Sequence, residues 1–273
     1  MKNKLTHHIK SKIGKYNVIY CPSRKFIWYK VPKTAGTSMF RGVMLREIDD
    51  VISYKAKPKE FNKWWDELTD EKINEYYTFT FVRNTFDRLV SAFTHIIIEN
   101  TLQSFREVWP ILNNDKPLPA GFTFDTVYLL FHLFVTRCLE HYDLSDQKMS
   151  SGSVHWIPQH YFFEFNGYQH VDFLGMYENL EDDWKQVAKK IGVSEKLPFV
   201  GASNTGKTFN KTREKLSNIS WNRYYIDKQI INKVYELYGR EIDLLYGEYN
   251  KFLKKDIEIV YQYNTDSMKY LKV

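Results

Sequence analysis

The sequence predicts an α/β fold in which a parallel β-sheet is flanked by helices. Three observations predict it. Short aromatic and β-branched runs alternate with longer segments whose apolar residues recur at helical spacing. Two of the short runs, Phe26–Val31 and Tyr77–Val82, pass directly into a polar turn and then a helix. Each of those two junctions carries a cation, Lys33 or Arg83, at the sheet edge where folds of this class bind ligands.

The chain of 273 residues suits one large domain, or one domain with a sizeable insertion. Its 19 Phe, 20 Tyr and 7 Trp supply a real core and argue against disorder. Lys plus Arg is 39 and Asp plus Glu is 33, so the formal charge is +6, which favours anionic ligands without naming one. Cys21 and Cys138 form no CxxC pair and no metal-site grouping, and they read as two reduced thiols. The N-terminal stretch is basic but has no apolar signal core. The longest apolar run, Val127–Val135, contains His132 and is too short to span a bilayer. The expectation is therefore a cytoplasmic location with no membrane span, and the triplets at Asn210 and Asn218 read as chance matches to a glycosylation site.

The elements follow in order. Tyr16–Tyr20 and Phe26–Val31 are apolar stretches separated by a Cys-Pro-Ser turn, and the second reads as a buried strand ended by Pro32. Met39–Arg46 reads as a helix with Ser38 near its start. Residues 49–76 are charged and partly helical. Tyr77–Val82 is a second strand, Asn84-Thr85 a short turn, and Phe86–Ile98 a helix. Residues 109–121, with three Pro, two Asn and a Gly, read as a loop. Phe124–His141 returns to helix, and Ser150–Ser153 is a break. Val171–Met176 is the third core strand, and Leu180–Ile191 a helix stopped by Gly192. Residues 197–213 are irregular and basic, and Ile226–Tyr246 has helical spacing.

Chemistry concentrates first in Val31-Pro-Lys-Thr-Ala-Gly-Thr-Ser38, between a strand and a helix. Free N–H groups at the helix start and the helix dipole make an anion cradle there. Ala35 and Gly36 keep side chains out of the way, Thr37 and Ser38 offer hydroxyl donors, and Lys33 supplies a full charge. The nucleotide-triphosphate loop GxxxxGK[ST] places its lysine after the second glycine, whereas Lys33 precedes the only glycine here. The acidic magnesium ligand expected at the end of another strand is replaced by Arg83. The pattern points to a phosphate-like group held without a metal.

The second segment, Phe81-Val-Arg-Asn-Thr-Phe-Asp-Arg-Leu-Val-Ser-Ala-Phe93, places Arg83 at a strand end. Ser91 lies about one turn into the next helix, on the face of Asp87. An arginine and a serine hydroxyl beside a phosphate loop suit a second phosphate, because planar guanidinium donors match phosphate oxygens in pairs. Arg88 reads as structural.

Together these two motifs resemble the PAPS-dependent sulfotransferases, in particular the carbohydrate branch. PAPS is 3′-phosphoadenosine 5′-phosphosulfate. The resemblance continues through His155–Gln159, Asp172–Leu180 and Leu197–Asn204, and runs discontinuously from about residue 18 to about residue 247. It implies a P-loop nucleotide-hydrolase-like sulfotransferase fold in a single domain, 1–273, with acceptor-site insertions near 99–123 and 144–160. It implies that Lys33, Thr34, Ala35, Gly36, Thr37 and Ser38 hold the 5′-phosphosulfate, that Arg83 and Ser91 hold the 3′-phosphate, and that Asn204 lies in a stretch closing over the nucleotide. PAPS is then the co-substrate, no metal is required, and a carbohydrate hydroxyl is the acceptor, with no nucleic acid partner.

Two departures from the family pattern stand out. Thr85 replaces a usual Pro. Residues 39–82 contain no His, although many members carry their catalytic base in that stretch. The remaining candidates are His155, His95, His160, Glu47 and Asp50, with His155 favoured because its segment resembles family sequence and His95 next because it follows Ser91 by one turn. Two competing readings are a metal-dependent, kinase-like enzyme and a non-enzymatic binder of anionic polymer. The displaced lysine and Arg83 speak against the first. Basic residues spread along the whole chain speak against the second.

Overall fold

The computed structural model describes residues 5–98, 108–112, 124–140, 155–198, 221–225 and 227–246. They fall into two compact units. The first draws on the chain up to Arg83 and on the segment from Gln159; the second begins at Asn84 and includes the C-terminal helix.

The first unit is built on a five-stranded sheet. Its strands are β1 (Val18–Cys21), β2 (Phe26–Tyr29), β3 (Ile52–Ser53), β4 (Tyr77–Val82) and β7 (Phe173–Met176), in the order β3-β1-β2-β4-β7. A separate hairpin pairs β5 (Glu164–Phe165) with β6 (Tyr168–Gln169). The expected parallel sheet is found only in part. β2, β4 and β7 run parallel, with Trp28 opposite Phe79 and Phe81 opposite Gly175. β1 is antiparallel to both β2 and β3. The reason is the connection Pro22–Lys25, far shorter than the roughly dozen residues a parallel crossover needs. Asp50 fixes that turn, accepting from Ser23 N at 2.8 Å, Ser23 Oγ at 2.7 Å and Cys21 Sγ at 3.2 Å.

One face of this sheet packs Phe26, Trp28, Phe79 and Phe81 against Met39, Val43, Trp184, Val187 and Ile191. The last three lie on the helix Leu180–Ile191, whose apolar stripe faces the sheet. That helix has three acids in its first turn, two lysines in its last, and Gly192 in the left-handed conformation that closes it. Near the N-terminus, the helix Leu5–His8 and the π-helical turn Ile9–Ile13 follow one another. His8 Nε2 lies 2.8 Å from the carbonyl of Tyr161, and its ring centroid is 5.7 Å from that of His170.

The second unit is helical among the described residues. It comprises Thr85–Phe93 continuing into the π-helical Thr94–Ile98, Phe124–Leu133 continuing into Phe134–Cys138, and the long helix Lys228–Tyr246. Residues 109–121 read from sequence as a loop, but 109–112 are helical, together with Val108, and 113–121 lie outside the described residues. Val108, Trp109 and Leu112 are buried there. The core gathers Phe86, Leu89, Phe93, Phe131, Phe134, Trp156 and Tyr238. Two of its buried hydroxyls reach main-chain carbonyls: Tyr225 donates to Phe86 O at 2.8 Å and Tyr238 to Trp156 O at 2.7 Å. Cys21 and Cys138 are both buried and free. No described helix is long and apolar enough to cross a membrane.

Candidate anion-binding site

The loop leaving β2 turns sharply. Lys33 has φ 73° and Ala35 φ 58°, both in the left-handed region that side chains other than glycine rarely occupy. Thr34 and Gly36 do not share it, so the chain alternates in handedness. Such alternation points successive N–H groups to one side and forms a concave nest for an anion. Among the described residues the amides of Ala35, Gly36 and Thr37 meet no protein acceptor, while Ser38 N donates to Ala35 O at 2.9 Å to begin the helix. Helical backbone follows from 36 to 47, π-helical over Ser38–Met44. Strain of this kind is kept where it shapes a binding site.

The loop residues differ in what they expose. Thr34 is fully buried and its hydroxyl donates to Val31 O at 2.8 Å, so that hydroxyl braces the loop and only its backbone can serve a ligand. Ser38 is buried and Thr37 exposed. Gly36 has an ordinary φ, and its reason is close approach. A Cβ there would lie 3.2 Å from Cδ and 3.3 Å from Cγ of Lys30. The Lys30 stem thus packs directly on the loop. Burial, reinforced by Lys55 and Arg41, holds its amine down to about 8. Sequence reasoning missed Lys30, which lies inside the expected strand Phe26–Val31 and carries no spacing signal of its own.

Arg83 sits at the end of β4, as expected, and is held from three sides. Its N–H donates to Gln159 Oε1 at 2.9 Å, and Gln159 Nε2 donates back to its carbonyl at 2.8 Å. Its guanidinium lies 4.1 Å from the centre of the Tyr177 ring. Its Nη1 donates to the carbonyl of Lys33 at 3.2 Å. The two cations predicted from separate motifs are therefore joined in one unit. Gln159 was also missed: its segment was recognised, but an amide that clamps another residue's backbone leaves no spacing signal. Gln159 is fully buried.

The second unit holds Ser91, His95 and His155. Asn84 Oδ1 caps the helix Thr85–Phe93, accepting from Phe86 N at 3.0 Å and Asp87 N at 3.2 Å. The expected turn at Asn84-Thr85 is thus this cap, with Thr85 already helical and bonded to Glu241 at 2.6 Å. Ser91 lies in the last turn of that helix, half-buried. His95 and His155, far apart in sequence, come together with ring centroids 5.0 Å apart. Arg88 is fully buried, as suits a structural residue.

The remaining candidates are otherwise engaged. His160 packs on Tyr161 at 4.3 Å. Glu47 accepts from Ser194 N at 2.7 Å. Asp50 holds the turn after β1. Burial acts to raise its pKa, but the hydrogen bonds from Ser23 and Cys21 outweigh that and keep the carboxyl below its ordinary value. Asn204 lies outside the described residues. Among the described residues no group of three or more His, Cys, Asp or Glu could hold a metal ion.

The profile of the Sulfotransferase family matches residues 16–249. Carbohydrate sulfotransferase 11 of Rattus norvegicus is 26% identical over 249 residues, covering 85% of this chain and 67% of that protein. Carbohydrate sulfotransferase 11 of Mus musculus matches with the same identity and coverage. No solved structure gives a significant match.

Proposed function

The chain belongs to the sulfotransferase family, and on that footing we propose that it moves a sulfuryl group from PAPS to a hydroxyl of a carbohydrate. The observation that carries the reading is the bond from Arg83 to the Lys33 carbonyl, which unites a phosphate nest with a guanidinium suited to a second phosphate. The carbohydrate acceptor rests on the relatives named carbohydrate sulfotransferase 11.

The residues fit the donor. The 5′-phosphosulfate would accept from the amides of Ala35, Gly36 and Thr37 and from the hydroxyls of Thr37 and Ser38. Arg83 would take the 3′-phosphate, and Ser91 is assigned to it by the sequence resemblance alone. In the reaction the acceptor oxygen attacks sulfur, the bond from sulfur to the 5′-phosphate oxygen breaks, and the electron pair leaves with the phosphate. Lys33 neutralises the charge that builds there, a contribution of roughly 100- to 1,000-fold in rate. The acceptor's proton goes to a base, worth roughly 100- to 10,000-fold. His155 is the first choice for it and His95, against the same ring edge, the second. The P-loop nucleotide-hydrolase-like fold belongs to this reading, supported by the loop between β2 and the helix that follows. No metal is assigned a role, because the strand-end position that would bind one is Arg83.

The test is transfer of label from sulfur-labelled PAPS to a panel of sugars. Labelled sugar is the expected product. Failure of every acceptor, with ATP and magnesium supporting phosphoryl transfer instead, overturns the reading.

A further inference from the structure

Lys30 lies on the flank of the phosphate loop, and the charges of two further cations of the first unit act on it. Lys30 follows β2 and lays its stem on Gly36 and beside Trp28. Arg41 comes from the helix after the loop and Lys55 from the turn after β3, and both are exposed. They are the charged groups whose fields Lys30 feels, and no carboxylate figures among them. None of the three has an acidic partner among the described residues. Like charges brought together beside a half-buried amine are unfavourable until an anion joins them.

We propose that Lys30, backed by Arg41 and Lys55, is a further catalytic residue that holds the sulfuryl end of the donor and so distinguishes the sulfated nucleotide from its desulfated product. The inference rests on the reading of the chain as a PAPS enzyme. Its physical basis is contact. The Lys30 stem packs on Gly36, whose amide would face the phosphosulfate, which brings its amine within reach of the group that extends beyond the 5′-phosphate. Adenosine 3′,5′-bisphosphate lacks that group and leaves the cations unneutralised, which favours product release.

The same arrangement couples donor binding to a proton. With its amine held down to about 8, Lys30 is largely protonated at neutral pH and neutral above pH 9. An anion beside it stabilises the charged form, so the sulfated donor takes up a proton that the product does not.

The experiment is calorimetry of PAPS and of adenosine 3′,5′-bisphosphate from pH 6.5 to 9.5, on the full chain and on the Lys30→Met and Lys30→Arg variants. The wild type should favour PAPS near neutrality by roughly tenfold or more, the worth of one charge-assisted contact. That preference should fade above pH 8. Lys30→Met should lose it at every pH, with bisphosphate affinity retained. Lys30→Arg should keep it to pH 9.5, because a guanidinium does not deprotonate there. A wild type that binds both nucleotides equally, or a Lys30→Met variant that keeps the preference, overturns the inference and leaves the sulfotransferase reading standing. Binding of neither nucleotide by the wild type removes that reading itself. Thermal melting of both variants separates lost contact from lost fold.

Discussion

The guanidinium of Arg83 donates to the main-chain carbonyl of Lys33 at 3.2 Å, across fifty residues of sequence. The strand-end cation therefore braces the loop, and in the proposed function it also presents donors to a second phosphate. Arg83→Gln should erase the preference for adenosine 3′,5′-bisphosphate over 5′-AMP, a loss of roughly ten- to a hundredfold. Calorimetry on both nucleotides reads it. A variant that still favours the bisphosphate as the wild type does would detach Arg83 from that phosphate.

Gln159 controls Arg83 through its backbone. Gln159→Ala removes both side-chain bonds to the Arg83 main chain, at a cost of roughly 1–3 kcal/mol in all. Denaturant unfolding should report the lost stability, and KM for PAPS should rise with it. Gln159→Glu restores only the acceptor for Arg83 N and should recover part of both. Wild-type stability in the alanine variant would contradict the clamp.

Lys33→Ala should cut turnover by roughly 100- to 1,000-fold while the protein stays folded, because its charge matters most as the leaving phosphate becomes more negative. Steady-state rates and a melting curve on the same preparation test it. Unchanged turnover would mean that the donor site is elsewhere.

His155→Ala should lower turnover at saturating PAPS with nucleotide affinity retained, the pattern a base gives. His95→Ala should have a smaller effect, through the ring it presents to His155. If both variants keep wild-type turnover, the proton goes to neither histidine.

Acid should weaken the first unit through His170. Burial, with a smaller push from His8, holds the His170 imidazole down to about 4, and burial lowers His8 as well despite its bond to the Tyr161 carbonyl. Glu164 also faces both rings and acts in the opposite sense. A folded pKa below the unfolded value means that the unfolded chain binds the extra proton. The contribution is therefore complete above about pH 6.5 and is lost as pH falls toward 4, up to roughly 3 kcal/mol. Denaturant midpoints at pH 7.5, 5.5 and 4.5 measure it. His170→Phe should flatten that part of the profile, and a profile identical to wild type would refute the assignment.

Much of this architecture is legible in the residues. β2, β4 and β7 are short apolar runs bounded by turn signals, and the helix Leu180–Ile191 carries its own start and stop chemistry. The loop at Lys33 and the cation at Arg83 are legible because anion binding demands particular residue types at a strand-to-helix junction. β1 and its direction are less so: period and propensity mark a strand, and only the brevity of Pro22–Lys25 fixes which way it runs. Residues 109–112 look like loop because they open a stretch, 109–121, rich in Pro, Asn and Gly, and their helix is a tertiary effect of burying Trp109 and Leu112. Gln159, Lys30 and the meeting of His95 with His155 depend on long-range packing that leaves no local pattern.

The left-handed backbone at Lys33 sets two demands against each other at one position. Conformation there would be served best by glycine, and the proposed chemistry needs a long cationic arm. Glycine at Lys33 should therefore yield a chain that resists heat better and turns over roughly 100- to 1,000-fold more slowly. Selection for thermal robustness alone would drift toward slow variants at this codon, so any search for hardier forms of the protein has to screen turnover in the same round.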